Sequence, residues 1–238
     1  VVIPCYNNEK TVADVALSVT QYSENVVVVL DGCTDKSAAN LQKIADKITI
    51  LSYSPNKGKG AALNLAFDYA NNHNFDYAIS IDADGQHFAS DLPLFLETID
   101  NNYGAMVVGS RFLKQDNMPA GNTFANKFSN FWFTIQTGKN LPDTQTGYRA
   151  YPIFKMGKLR SFSKRYESEL EYLQRMAWRN IKLISIPIKV YYAPVGERVT
   201  HFRKGRDFIR ISILNTLMCF VAILYGYPSM FLRKLLGK

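Results

Sequence analysis

Short Val/Ile-rich runs alternating with helical patterns constrain this chain more than any other feature of its 238 residues. Val1–Pro4, Val26–Leu30, Ile48–Leu51, Tyr77–Ile81 and Ala105–Val108 are nearly continuous in apolar character. Strands buried on both faces of a parallel sheet read in this way, because neither face meets water. Between them, Thr11–Gln21, Ser37–Asp46, Ala61–Asn71 and Leu92–Asp100 have helical length and amphipathic spacing. Strand and helix in alternation predict an α/β fold with a doubly wound, mostly parallel sheet flanked by helices. A chain that is 47% hydrophobic and 13% aromatic can fill such a core, which argues against wholesale disorder.

Sheets of this kind bind ligands outside the carboxyl ends of their strands. Every one of the five runs is followed by polar or Gly-bearing residues. Tyr6, Asn7 and Glu9 follow the first, Asp31-Gly32-Cys33-Thr34-Asp35 the second and Asn56-Lys57-Gly58-Lys59-Gly60 the third. Asp82-Ala83-Asp84-Gly85-Gln86-His87 follows the fourth, and Gly109-Ser110-Arg111 the fifth. Five such loops at one edge of a sheet fit a nucleotide-type ligand lying across it better than they fit solvated turns.

The fourth loop is the most specific. If Tyr77–Ile81 is a strand, period-2 alternation points Asp82 and Asp84 the same way at its end. Two carboxylates so close repel unless a cation lies between them, and hard divalent ions bind phosphates through one or two carboxylates. Asp-x-Asp here therefore suggests a metal–diphosphate site, the plain alternative being a polar turn.

Charge is unevenly divided. Residues 1–150 hold 11 Lys/Arg against 15 Asp/Glu, net −4, and residues 151–238 hold 17 against 5, net +12. An acidic half with a candidate metal site and a basic half suggest two tasks on one fold. Cys5, Cys33 and Cys219 show no metal spacing, so a disulfide framework is not expected, in keeping with a reducing setting. The sequence opens on Val1 without an initiator Met, as a segment of a longer chain would.

Beyond Gly109 the alternation stops. Residues 112–138 combine a polar loop with an aromatic helix carrying Phe124, Phe128, Phe131, Trp132 and Phe133. Asp143-Thr144-Gln145-Thr146-Gly147-Tyr148-Arg149 follows, then a helix over Tyr166–Arg179 and a strand over Ile181–Tyr192. Ile211–Tyr227 is a mostly apolar run ended by Pro228, with Arg203, Lys204, Arg206 and Arg210 before it and Arg233, Lys234 and Lys238 after it. Both ends are thus cationic, which suits a helix lying on an anionic membrane surface. A helix covering the sheet, an oligomer contact and a first membrane segment of a longer chain are the alternatives.

The five loops together resemble family 2 glycosyltransferases of the GT-A fold, in particular the polyprenyl-phosphate (dolichyl-phosphate) mannosyl- or glucosyltransferase branch. The resemblance is carried by Val1-Val2-Ile3-Pro4-Cys5-Tyr6-Asn7-Asn8-Glu9, Leu30 through Asp35, Asn56 through Gly60, Asp82 through Gln86 and Gly109-Ser110-Arg111. Asp143 through Arg149 resembles the acceptor-side motif of the branch. The resemblance implies that Pro4, Tyr6, Glu9 and Asp31 line the base and ribose pocket of a nucleotide-sugar. Asp82, Asp84 and Gln86 would hold Mg²⁺ or Mn²⁺ with the donor diphosphate, Ala83 and Lys59 would touch the donor, and Arg111 would approach phosphate or sugar. Asp143 would stand near the acceptor and, with Arg111, serve catalysis, while Arg149, Arg198, His201 and Arg203 would bind acceptor or phosphate. The expected organisation is a catalytic domain over 1–205 (donor and metal half 1–110, acceptor half 111–205) and a membrane-associated tail over 206–238.

The expected reaction is an inverting, metal-dependent transfer of one sugar to a lipid-linked acceptor on the cytoplasmic side of a membrane. The segment that marks processive polysaccharide synthases, Gln-x-x-Arg-Trp, is absent from the sequence. Where the family motif often reads Asp-Asp-Gly-Ser, Leu30 and Cys33 replace the first and last residues, which leaves the donor base open. A nucleotidyltransferase shares the sheet and metal logic but calls for a Gly-rich basic loop after the first strand. A nucleic-acid binder would use the basic half, but acidic strand-end loops repel a phosphate backbone, so no nucleic-acid partner is expected. Lys57 and Lys59 read equally as a phosphate cradle at a helix start and as a solvated loop. His87 is expected to yield to Gln86 as the third metal contact. Glu167, Glu169 and Glu171 read as a solvated helix start favoured by the dipole.

Overall fold

The computed structural model describes residues 1–111, 120–157, 159–163, 165, 167–192 and 204–237. The strands are β1 (Val2–Cys5), β2 (Val27–Asp31), β3 (Thr49–Tyr53), β4 (Tyr77–Ser80), β5 (Met106–Arg111), β6 (Arg149–Pro152) and β7 (Leu183–Ile188). They form one sheet in the order β3-β2-β1-β4-β6-β5-β7. β1 pairs in parallel with β2 and β4, β2 with β3, and β5 with β7. β6 alone runs antiparallel, between β4 and β5. The five expected strands are present within a few residues of their expected ends. β7 lies at the sheet edge, where Pro187 removes no ladder bond that the sheet needs.

The helices α1 (Val12–Thr20), α2 (Ser37–Gln42), α3 (Lys59–Asn72) and α4 (Leu92–Asn101) follow the first four strands. α5 (Ala120–Thr137), α6 (Ile153–Met156) and α7 (Glu167–Trp178) belong to the second half. Alternate strand residues feed two cores. Val27 and Val29 pack with Ala62, Leu63, Phe67, Tyr172 and Met176 of α3 and α7. Val28 and Leu30 pack with Val12, Val15, Phe95 and Ile99 of α1 and α4. This two-sided burial is the physical cause of the continuous apolar runs. α2 is shorter than expected, ending at Gln42 in turns rather than at Asp46.

β6 was not expected. Its four residues begin with Arg and end with Pro, and carry no periodic signal. Because it runs backwards, the loop that precedes it, Asp143–Tyr148, arrives at the edge where the parallel strands end.

The tail also departs from expectation. α8 (Lys204–Val221) passes through a π-helical turn, Ala222–Gly226, into α9 (Tyr227–Leu235). Pro228 stands in the first turn of α9, directly after the π-helical turn, where the i→i−4 ladder is already interrupted, so it does not end the helical run. Ile211–Leu235, 25 residues containing an 18-residue stretch of mean hydropathy 1.6, is by length and composition able to cross a membrane. In the structure it lies along the domain. Trp178 packs on Met218 and Ala222, its Nε1 donates to the Gln136 carbonyl at 2.8 Å, and the Gln136 amide donates to the Asn215 carbonyl at 3.0 Å. A Cβ on Gly226 would stand 2.6 Å from the Trp178 indole, so the chain needs glycine at that crossing.

Candidate active site

The first two loops brace each other. Asn7 Oδ1 accepts from the Thr34 amide at 2.8 Å, and Asn7 itself takes the left-handed conformation at φ 52°. Glu9 accepts from the Lys36 amide at 2.9 Å, and its own amide donates to Asp35. Asp31 is buried, and its carboxylate accepts from the Lys57 amide at 2.7 Å, the Gly58 amide at 2.9 Å and the Asn56 side chain at 3.0 Å. Glu9 and Asp31 thus tie loops together, while Pro4 and the exposed Tyr6 stand at the end of β1. The structure brings all four to the sheet edge where the nucleotide was expected. Cys33, in the position of the family's Ser, has its Sγ 4.0 Å from that of Cys5, and this contact lowers the Cys33 thiol to about 7.

The two lysines of the third loop separate. Lys57 turns its ammonium over the Tyr53 ring. Lys59, the first residue of α3, places Nζ 2.5 Å from Asp82 Oδ1 and 2.9 Å from Glu169 Oε2. Glu169 and Glu171 correct the sequence reading, since both are buried rather than solvated. Glu171 accepts from the Ser161 hydroxyl at 2.7 Å, the Ser163 amide at 2.9 Å and Arg175 at 2.9 Å. No sequence signal separated these glutamates from an exposed helix start, because their partners lie about a hundred residues away or in an irregular loop.

Asp82 and Asp84 stand at the end of β4, with Asp84 exposed and its Oδ1 accepting from the Gln86 amide at 3.0 Å. Ala83 is buried, and its carbonyl accepts from Thr11 Oγ1 at 2.6 Å, which fixes the loop to the start of α1. Partial desolvation, and then the charge of Asp82, push the Asp84 carboxyl up to about 6. Burial opposes the charge on Asp82 as well, but Lys59, His87 and Arg149 outweigh it and hold its carboxyl below the usual range. Among the described residues no three His, Cys, Asp or Glu side chains cluster so as to hold an ion by themselves. Two carboxylates and the Gln86 amide offer hard oxygen and carbonyl donors short of a full set, which suits Mg²⁺ or Mn²⁺ completed by a diphosphate. His87 is lowered to about 4, chiefly by burial, and is neutral at pH 7.

Arg111 ends β5 and forms a two-pronged pair with Asp143, Nε to Oδ2 at 2.6 Å and a terminal nitrogen to Oδ1 at 2.9 Å. The Arg111 and Gln145 amides also donate to this carboxylate, at 3.2 and 3.0 Å. Asp143 is 0% exposed. Burial works against the Arg111 charge, yet the hydrogen bond and charge of Asp143 raise its pKa further. The loop is pinned to α5, where Asn126 and Asn130 donate to the Pro142 carbonyl at 3.1 and 2.8 Å. Asp82, Lys59, Arg111 and Asp143 all act on the charge of His87, and Asp82 acts on that of Arg111, so Asp82 and the Arg111 pair stand near one another at the carboxyl edge of the sheet.

Arg149 corrects the expectation of a phosphate binder. It is 0% exposed, and its guanidinium donates to the carbonyls of Thr146 at 2.7 Å, Thr144 at 2.8 Å and Glu169 at 2.5 Å. It clamps the loop before β6 to α7 and has no exposed surface with which to meet a phosphate. Arg198, His201 and Arg203 lie outside the described residues. A shallow polar cavity of about 220 Å³ lined by Glu24, Asn25, Asp46, Lys47 and Tyr69 opens at the opposite end of β2 and β3, away from this chemistry.

A seven-stranded, mostly parallel sheet with an Asp-x-Asp loop at its carboxyl edge defines a GT-A-type transferase fold. The chain belongs to glycosyl transferase family 2, whose model matches residues 1–162, and it is a sugar-transferring enzyme. It is 27% identical over 237 residues to the UDP-N-acetylglucosamine–dolichyl-phosphate N-acetylglucosaminyltransferase of Methanococcus voltae, covering 90% of this chain and 94% of that one. It is 25% identical to the polyprenol monophosphomannose synthase of Mycolicibacterium smegmatis, over 79% of this chain and 75% of the relative. Its fold matches glucosyl-3-phosphoglycerate synthase of Mycobacterium tuberculosis, solved with Mn²⁺, UDP and glucosyl-3-phosphoglycerate, with TM-score 0.66 at 16% identity over 92% of this chain and 78% of that one.

Proposed function

We propose that this chain transfers one sugar, with inversion and with Mg²⁺ or Mn²⁺, from a nucleotide-diphosphate sugar to a polyprenyl-phosphate acceptor at a membrane surface. The observation that carries this reading is the meeting, at one sheet edge, of the Asp82/Asp84 pair with an Arg111 guanidinium locked by Asp143. A bound divalent ion would neutralise charge gathering on the leaving nucleoside diphosphate. Asp82, Asp84 and Gln86 would hold it, and Arg111 adds a preorganised positive charge beside them.

A lipid phosphate oxygen is already anionic and needs no strong base. Asp143 agrees with this, since its carboxylate already accepts four hydrogen bonds. It orients Arg111 and has little capacity left to take a proton. Asp82 is paired with Lys59, which leaves the acceptor oxygen as the natural attacking group, and a single displacement inverts the anomeric carbon. Relatives that act on dolichyl phosphate and make polyprenol monophosphomannose support the acceptor class, and their different sugars leave the donor open.

The tail supports the membrane location. Leu217, Phe220, Ile223 and Leu224 are exposed along it, as are Phe124, Phe131 and Ile135 of α5. Apolar surface on this scale marks a contact site, and the basic ends suit anionic headgroups. We place residues 206–238 as the docking tail of a catalytic domain formed by 1–205, facing the cytoplasmic leaflet.

The test is turnover of UDP- and GDP-sugars with a polyprenyl phosphate, with the anomeric configuration of the product read by NMR. Asp82→Asn should lower turnover at least about a hundredfold, as loss of a transition-state charge contact does, without loss of fold. Undiminished turnover in EDTA would refute the metal role, and retained configuration would refute the single displacement.

A further inference from the structure

The ion chain behind Asp82 has a shape that holding two helices together does not require. Lys59 Nζ bridges Asp82 Oδ1 at 2.5 Å and Glu169 Oε2 at 2.9 Å. Glu169, in the first turn of α7, is 5% exposed, and its second oxygen, Oε1, is buried with no hydrogen-bond partner among the described residues. Two glycines bring these groups together. A Cβ on Gly60 would lie 2.3 Å from the Ser163 carbonyl and 2.7 Å from Ser168 Cβ, so α3 meets the start of α7 at backbone distance. A Cβ on Gly147 would lie 2.4 Å from Asp82 Oδ2. Asp82 therefore packs on Gly147 at one oxygen and is held by Lys59 at the other, while its side chain keeps 26% of its surface exposed.

We propose that Glu169 is a positioning residue for the metal site: it anchors Lys59, and through Lys59 sets where the Asp82 carboxylate stands and how much negative charge the site offers a divalent cation. With Glu169 ionised, Asp82, Lys59 and Glu169 together carry one net negative charge, to which Asp84 adds a second. Without the Glu169 charge, Lys59 cancels Asp82 and only Asp84 is left to attract the ion. Arg149 adds its positive charge near Asp82 and Glu169 in wild type and variants alike, but it does not replace the Lys59 bridge, because its guanidinium donates to backbone carbonyls. The inference rests on the metal reading above and deepens it.

The test uses the full chain with Mn²⁺ alone and inorganic pyrophosphate alone as probes, so it needs neither donor nor acceptor. Free Mn²⁺ is followed by electron paramagnetic resonance, pyrophosphate by calorimetry and folding by circular dichroism. Glu169→Gln should weaken Mn²⁺ binding on the order of tenfold, as loss of one nearby charge in a partly screened site does. Metal-free pyrophosphate should bind Glu169→Gln at least as well as wild type, because the site has become more positive. A merely structural role would not move the two probes in opposite senses. Glu169→Asp, which keeps the charge on a shorter arm, should recover part of the Mn²⁺ affinity.

Lys59→Met removes the group through which Glu169 acts. It should bind Mn²⁺ at least as tightly as wild type, and adding Glu169→Gln to it should weaken binding by less than the same change does in wild type, because only the direct charge effect is then left. If Glu169→Gln fails to fold, Glu169→Asp and Lys59→Met carry the test. Equal Mn²⁺ affinity in wild type and Glu169→Gln, parallel loss of both probes, additive effects in the double variant, or weaker Mn²⁺ binding by Lys59→Met would each overturn the proposal. Absence of Mn²⁺ binding by wild type would overturn the metal reading as well, whereas metal-dependent transfer with unaltered Mn²⁺ binding in Glu169→Gln would overturn this inference alone.

Discussion

Replacing Asp143 with Asn tests whether this carboxylate positions Arg111 or takes a proton from the acceptor. The substitution keeps the side-chain shape but strips the counter-charge from an arginine whose side chain is 16% exposed. Removing one partner of a buried ion pair typically costs about 3–5 kcal/mol. Partial exposure lets water recover some of that, so about 3 kcal/mol, the low end of that range, is the reasonable magnitude. In a domain of this size each kcal/mol lowers the melting temperature by about 2–4 °C, so a fall of about 6–12 °C is expected in calorimetry. Arg111→Met in the same chain removes the stranded charge, and the double variant should lose less stability than the two single losses added together. Below the melting range, Asp143→Asn should slow transfer modestly, through misaimed Arg111. A rate loss of about 10²–10⁴-fold, the range for removing a general base, would refute the positioning role and favour a hydroxyl acceptor. A melting temperature equal to wild type would refute the argument that the pair is buried and tight.

Glu171 should govern part of the acid stability. Burial favours its protonated form, but hydrogen bonds from Ser161, Ser163 and Phe162 win and hold its carboxyl below the usual range. A pKa lower in the folded than in the unfolded state gives stability present above the unfolded value, about 4.3 for Glu, and lost as pH falls through the folded one. Urea denaturation from neutral pH down to about pH 3 should show that loss, and Glu171→Gln should be less stable at neutral pH with a flatter acid limb; an unchanged slope would refute the assignment. For the tail, Phe220→Glu with Leu224→Glu alters two exposed residues and should abolish sedimentation with anionic vesicles while leaving soluble donor binding intact. Undiminished sedimentation would rule out this face as the membrane contact.

Much of the donor half was legible in the residues themselves. Strands buried on both faces must be apolar throughout, so β1 to β5 announce themselves, and the strand-end rule then collects Tyr6, Asp31, Lys59, Asp82 and Arg111 at one edge without any contact being known. Asp-x-Asp is legible because its two carboxylates are near neighbours in the chain, although β4 ends at Ser80 and Ala83-Asp84 forms a turn, so strand alternation does not set their directions. β6 had no such signal, and neither did the glutamates of α7. A helix start rich in Glu reads as solvated when its partners are the distant Lys59 and the irregular segment around Ser161–Ser163.

What the sequence by itself determined is therefore periodic or adjacent: the alternating fold, the loops at the carboxyl edge, the carboxylate pair and the apolar tail between basic ends. What only the tertiary structure decided depends on groups brought together across long stretches of chain. The reversed β6 delivers Asp143 to Arg111, the glycine contacts at positions 60 and 147 draw Lys59 between Asp82 and Glu169, and Arg149 becomes a buried clamp instead of a ligand. The π-helical turn carries the tail past Pro228 and lays it along Trp178. Charge alone cannot say whether a Lys or Arg meets solvent, substrate or a backbone carbonyl, because that depends on which distant groups the fold places within hydrogen-bond reach.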